Sequence, residues 1–250
     1  MKTKKVLLQA KQVHRYFGSL AAVNDLSFEL YEGEILGVAG PNGSGKTTLM
    51  NVITQVIPPS KGEIWFNDQP IHNLKAYEIC HLGISRTFQH TTVFDSLSIV
   101  DNMIIGAVFG KNRKSDQPSR EAVREILQFV GLDADEHLLA GQLKANDKKK
   151  LMIAIAIATK PKLLILDEPC AGLTTIESKE IIQLIKQINQ RNITVMLIEH
   201  NMQVLMNISD RVMIIDHGTK LSEGTPEQIW NDERVIETYL GRKKKKGVHL

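Results

Sequence analysis

The stretch Gly40-Pro41-Asn42-Gly43-Ser44-Gly45-Lys46-Thr47-Thr48 constrains what this chain can fold into more than any other. Its glycines let the backbone turn tightly and bring successive N–H groups to bear on one anion. Lys46 offers a positive point charge for the outer phosphates of a nucleotide. Thr47 offers a hydroxyl to Mg²⁺. Glu34 to Ala39 reads as a short buried strand before the loop. Thr48 to Val56 reads as a helix whose N-terminus faces the phosphates. The pattern is that of a phosphate-binding P-loop, and the order of elements along the chain, βαβ, a helical insertion and then βαβαβ, argues an α/β fold with a mostly parallel sheet.

Size and charge narrow the possibilities. With 250 residues and 42% hydrophobic composition, the chain can build a substantial core, as one large domain or a domain with an inserted lobe. The formal net charge is +3, but a basic run, Arg242 to Lys246, supplies more than that. The rest is slightly negative, which argues against a nucleic-acid-binding surface. The tail 242–250 reads as a solvated end, with contact to anionic lipid as the alternative. Cys80 and Cys170 have no metal-ligand spacing and read as reduced thiols. No secretory signal is expected, and the longest apolar run, Leu151 to Ala158, is too short to span a bilayer.

Along the chain, Val6 to Val13 and Asn24 to Leu30 read as strands joined through Gly18-Ser19. Tyr16-Phe17, in that connection, suits either a core aromatic or a base-stacking platform. Glu63 to Asn67 is a further strand. Gln89 follows the apolar stretch from His81 to Phe88. Leu97 to Phe109 and Arg120 to Val130 look helical, the second with Val123, Ile126, Leu127 and Val130 on one face. Gly110 to Ser119 is a polar connector between them. Asp147 to Thr159 becomes apolar on all sides, the mark of a buried helix. Leu163 to Leu166 is a continuous apolar strand ending in Asp167-Glu168. Ligands bind at the carboxyl ends of such strands. There Asp167 suits Mg²⁺, and Glu168 suits an attacking water. Glu177 to Asn189 is amphipathic through Ile181, Leu184, Ile185 and Ile188. Ile193 to Ile198 is a buried strand ending in Glu199-His200, on the same edge as Glu168. Arg211 to Asp216 is another strand, and Pro226 to Leu240 a last helix.

Together these residues resemble an ABC transporter nucleotide-binding subunit over nearly the whole chain. Gly40 to Thr47 is similar to Walker A, Gln89 to the Q-loop glutamine, Leu163 to Glu168 to Walker B with its catalytic glutamate, and His200 to the switch histidine. Phe17 matches the family's adenine platform. Within the family the chain looks most like the larger ATPase subunit of branched-chain amino-acid importers. That likeness is carried by Arg86-Thr87-Phe88-Gln89, Ala140-Gly141, Ala171-Gly172-Leu173, Leu197 to Met202, Ile208 to Arg211 and Glu223 to Ile229.

The resemblance implies a P-loop NTPase with a mostly parallel sheet, an antiparallel β subdomain and an inserted helical lobe. The core would take 1–90 and 160–250 and the lobe 91–159. It implies ATP and Mg²⁺ as cofactors, bound through Phe17, Gly40 to Thr48, Asp167 and Gln89, with Glu168, Gln89 and His200 catalytic. It implies transmembrane permease subunits docked near Phe88 and Phe94, a second ATPase subunit, an external solute-binding protein, and a peripheral place on the cytoplasmic face of the cell membrane. Related uptake or lipopolysaccharide-export systems are the nearest alternatives. A GTPase is disfavoured because no guanine-reading Asn-Lys-x-Asp is present.

Two motifs depart from the family. Its signature is Leu-Ser-Gly-Gly-Gln, or Leu-Ala-Tyr-Gly-Gln in the subgroup. Here Leu143-Lys144-Ala145-Asn146-Asp147 keeps only the leucine. Thr174 stands where the D-loop has Asp or Asn. The Cβ of Asn146 is expected to obstruct close backbone approach to a partner's nucleotide. Hydrolysis would then need a heterodimer whose other member has an intact signature, or the chain would be a low-turnover, nucleotide-gated subunit; the alternative is a homodimer in which the altered loop still works.

Overall fold

Two sheets share one side of a common core. A computed structural model describes residues 4–89, 92–110, 120–132 and 137–240. The basic tail and most of the polar connector lie outside them. The first sheet is antiparallel, built from β1 (Val6–Phe17), β2 (Leu20–Tyr31), β4 (Lys61–Phe66) and β5 (Gln69–Pro70) in the order β2-β1-β4-β5. The second contains β3 (Ile35–Ala39), β6 (Ile84–Arg86), β7 (Leu163–Asp167), β8 (Thr194–Ile198), β9 (Arg211–Asp216) and β10 (Thr219–Gly224). Its order is β10-β9-β3-β8-β7-β6, with parallel pairing throughout except at the β9–β10 hairpin.

The parallel strands are continuous apolar runs because both of their faces are covered. Successive side chains on a strand point to opposite faces, and the residues sort accordingly. Ile35, Leu164, Leu166, Val195, Leu197, Val212 and Ile214 face one core, with the helices α5 (Ala145–Ala158) and α6 (Thr175–Gln190). Leu36, Val38, Leu163, Ile165, Met196, Ile198, Met213 and Ile215 face the other, with α1 (Lys46–Ile53) and the antiparallel sheet.

The helices α3 (Ile99–Phe109) and α4 (Arg120–Phe129) pack with α5. Ser98 caps α3 by accepting from the Asp101 amide at 3.0 Å. On α4 and just beyond it, Val123, Leu127 and Val130 are buried, as their spacing predicts. On α6 the buried residues are Ile181, Leu184, Ile185 and Ile188.

Several elements differ from the sequence expectation. Helix α1 begins at Lys46 rather than Thr48, because left-handed Gly45 is already its N-cap. The short helices α2 (Ala76–Leu82) and α7 (Met202–Ile208) and the strands β6 and β10 are additional. The last helix is two, α8 (Pro226–Trp230) and α9 (Glu233–Leu240). The break has a cause: the Asp232 carboxylate accepts from the Arg234 amide at 3.0 Å and from the Ser222 hydroxyl at 2.6 Å. An aspartate offering its side chain to the backbone starts a new helix. No helix among the described residues is long and apolar enough to cross a membrane.

Candidate active site

The loop from Gly40 to Gly45 joins β3 to α1 and is held on several sides. A Cβ on Gly40 would collide with the Ile215 carbonyl, and one on Gly45 with the Ala22 carbonyl. The Ser44 amide donates to the Pro41 carbonyl at 3.2 Å, and the Gly218 amide to the Ser44 carbonyl at 2.9 Å. Gly45 has φ 104°, a conformation open to glycine. The Lys46 ammonium donates to the carbonyls of Gly40 (2.8 Å) and Pro41 (2.9 Å). Burial lowers the Lys46 pKa, against the charges of Glu168 and Asp167. No side chain caps α1, and its first turn contains no acidic residue. Its first N–H groups and the positive end of its dipole therefore face outward over the loop.

Gly43 to Thr48, Phe17, Leu20 to Ala22, His217 and Gly218 line a cleft of about 470 Å³. That volume is in the range of small-ligand pockets. The Phe17 ring is 46% exposed at this cleft, and the Arg15 guanidinium lies 4.8 Å from its centroid. The aromatic thus lies on the surface of the cleft rather than in the core. Asn42 and Thr47 are exposed and Thr48 is half-buried.

The carboxyl ends of β7 and β8 stand side by side, with Asp167 opposite Ile198. The Glu168 amide donates to the Ile198 carbonyl at 3.0 Å. Glu168 has φ 49°. A left-handed non-glycine residue costs ~1–3 kcal/mol and persists only where its surroundings hold it. Its carboxylate meets two residues that the sequence singles out. Gln89 Nε2 donates to Oε2 at 2.8 Å, and His200 Nε2 lies 2.5 Å from Oε1. Two other segments, distant in sequence, thus converge on one carboxylate.

Asp167 is placed differently. Its Oδ2 accepts from Arg86 at 2.7 Å, and the other terminal nitrogen of Arg86 reaches Asn51 Oδ1 at 2.7 Å. Among the described residues no group of three or more His, Cys, Asp and Glu forms a metal cluster. The oxygens of Thr47, Asp167 and Gln89 are hard donors of the kind Mg²⁺ takes when phosphates complete its shell. Glu199 lies behind this edge, buried, and its Oε1 accepts from the Cys170 amide at 2.8 Å. Burial raises the Glu199 pKa, against the hydrogen bonds from Cys170. Burial, with the nearby Glu199 charge, pushes the Cys170 thiol up to about 12.

The altered signature forms the tip of α5. Lys144 is its N-cap and makes no side-chain cap bond. Leu143 is half-buried, Ala145 exposed and Asp147 half-buried. Asn146 is 8% exposed, and its Nδ2 donates to Glu180 on α6 at 3.0 Å. Its side chain therefore turns into the α5–α6 interface rather than outward from the tip. Thr174 caps α6 in a capping box with Glu177.

Sequence reasoning missed Arg86, Asn51, Glu199 and the His217-Gly218 wall of the cleft. Arg86 and Glu199 had a signal, since each belongs to a stretch already singled out. Asn51 had none.

Comparison with known proteins places this geometry. The ABC transporter family matches residues 23–171, and a family described as "Branched-chain amino acid ATP-binding cassette transporter" matches residues 219–245. The high-affinity branched-chain amino acid transport ATP-binding protein LivG of Escherichia coli (strain K12) is 37% identical over 249 residues, covering 94% of this chain and 98% of that one. Its counterpart BraF of Pseudomonas aeruginosa is 34% identical over 249 residues, covering 94% of this chain and 98% of its own. The ADP conformation of an ATP-binding cassette of an ABC transporter superposes with a TM-score of 0.86 at 28% identity, covering 95% of this chain and 99% of that one. On the family match, the curated relatives and the shared fold, this chain belongs to the ABC transporter family, as one of its ATP-binding cassettes.

Proposed function

We propose that the chain is the ATP-binding and ATP-hydrolysing subunit of an importer for branched-chain or related amino acids. The observation that carries this reading is the meeting of Glu168, Gln89 and His200 beside the Lys46 loop. Phe17 stacks the base, while Lys46 and the first amides of α1 hold the phosphates. Glu168 takes the proton of a water that attacks the γ-phosphorus, the bond to the bridging oxygen breaks, and ADP and phosphate leave. His200 orients Glu168 and meets the γ-phosphate. Thr47, Asp167 and Gln89 would hold Mg²⁺, which when bound neutralises phosphate charge. In the assembled complex, Glu168→Gln is expected to keep ATP binding and stop turnover. Hydrolysis at the wild-type rate would overturn the assignment.

The same reading places the chain peripherally on the cytoplasmic face of the membrane, with permease subunits and an external solute-binding protein. Phe88 and Phe94 are 44% and 55% exposed and suit an apolar groove for a permease helix. Asn146 stands where both forms of the signature have glycine, and Lys144 where they have serine or alanine, and these departures favour pairing with a different ATPase subunit that has an intact signature. Hydrolysis then falls mainly to this chain's own Lys46 and Glu168. Comparable turnover per site by the chain alone and by the mixed pair would contradict that pairing.

A further inference from the structure

The backbone of Glu168 is pinned at each end. Its amide donates to the Ile198 carbonyl at 3.0 Å, and its carbonyl accepts from the Ala171 amide at 3.1 Å. Both partners belong to the sheet edge and its own turn. A second donor to the same carbonyl comes from elsewhere: Lys149 Nζ, on α5, at 3.1 Å.

Lys149 sits in a basic run whose neighbours turn to other partners. Lys148 pairs with Asp95 at 2.8 Å, and Lys150 with Glu180 at 3.0 Å. Lys149 instead reaches beneath the site, toward the Glu168 carbonyl and the charge of buried Glu199. An ammonium that gives up water needs such partners. What it holds is also the residue with most to lose. Glu168 is left-handed at φ 49°. Without the Lys149 donor its carbonyl keeps only the Ala171 amide, and the peptide is freer to relax toward the ordinary right-handed basin and swing the carboxylate away from Gln89 and His200.

We infer that Lys149 is a positioning residue for Glu168, tying the orientation of the hydrolytic carboxylate to the placement of α5; this rests on the proposed role of Glu168 as base. The tip of α5 is Lys144 to Asp147. In the proposed pair that tip meets the opposite nucleotide, so Lys149 joins the state of one site to the base of the other.

The test uses the assembled transporter with Lys149→Met, Lys149→Arg and, as reference, Glu168→Gln. Methionine keeps an unbranched stem of similar length and removes the donor. The expected result for Lys149→Met is a ~10- to 100-fold fall in kcat, the range for a base displaced by up to ~1 Å. KM for ATP and the melting temperature should stay near wild type, since the phosphate cradle is untouched. Lys149→Arg restores most of the rate. Where Lys149→Met does not assemble, Lys149→Leu, which also lacks a donor, carries the same comparison. A wild-type kcat in the methionine or leucine variant, while Glu168→Gln is inactive, overturns the inference and leaves the base assignment standing. A kcat loss that tracks weakened ATP binding and a lowered melting temperature, unrelieved by arginine, reduces Lys149 to a packing residue and also overturns it. Wild-type turnover by Glu168→Gln overturns the base assignment itself.

Discussion

Arg86→Met is expected to cost this fold a large part of its stability. Arg86 and Asp167 face each other at 2.7 Å with side chains only 4% and 3% exposed. Removing one partner of a buried pair leaves the other charge without compensation, which costs ~3–5 kcal/mol. Asn51 would lose its 2.7 Å bond to Arg86 as well. Against a usual total of ~5–15 kcal/mol, that loss is readily measured by urea unfolding followed by circular dichroism. The companion variant Asp167→Asn should lose a comparable amount. The double variant should lose much less than the sum, with a coupling of ~2–3 kcal/mol, because no unpaired charge then remains buried. A single-variant loss below ~1 kcal/mol, the level of an exposed ion pair, or strict additivity in the double variant, would refute the reasoning.

Two further expectations concern the cleft and the pH response. Phe17→Ala should weaken ATP binding by ~1–3 kcal/mol, read by titration calorimetry on the isolated chain; an unchanged affinity would exclude the ring as platform. Burial holds the Glu199 carboxyl above its ordinary 4.5. The folded chain therefore binds that proton more tightly than the unfolded chain, and stability is lost as pH rises through the raised value. Glu199→Gln can still accept from the Cys170 amide but carries no charge. Its melting temperature relative to wild type should climb from about pH 4.5 upward and then level off; a flat or opposite difference would contradict the burial argument.

How far the chain could be read before its structure depended on where each instruction lies. β3, β7 and β8 are buried along their whole length, so their apolar runs announce them. α6 repeats its buried residues at helical spacing and carries its own capping box. α2 and α7 are too short for periodicity to show, and β10 is defined by its pairing with β9 rather than by apolar residues. The break before α9 depends on Asp232 receiving the Ser222 hydroxyl of the preceding strand β10, a contact made only once α8 folds back over that strand. In the site, Glu168, Gln89 and His200 were legible as types in a motif. Their meeting depends on the parallel β7–β8 register, which no single segment encodes. Arg86 reaches Asp167 because β6 lies beside β7, with Arg86 opposite Ile165. Asn146 was legible as a departure, but its inward direction depends on Glu180 of another helix.

The central claim is that the cleft over Gly40 to Thr48 binds the phosphates of ATP through Lys46. Equilibrium binding of Mg-ATP to the isolated chain and to Lys46→Ala tests it most directly. The account predicts one saturable site per chain in the wild type and its loss in the variant, whose fold is retained by circular dichroism. Equal affinity in the two proteins would contradict it.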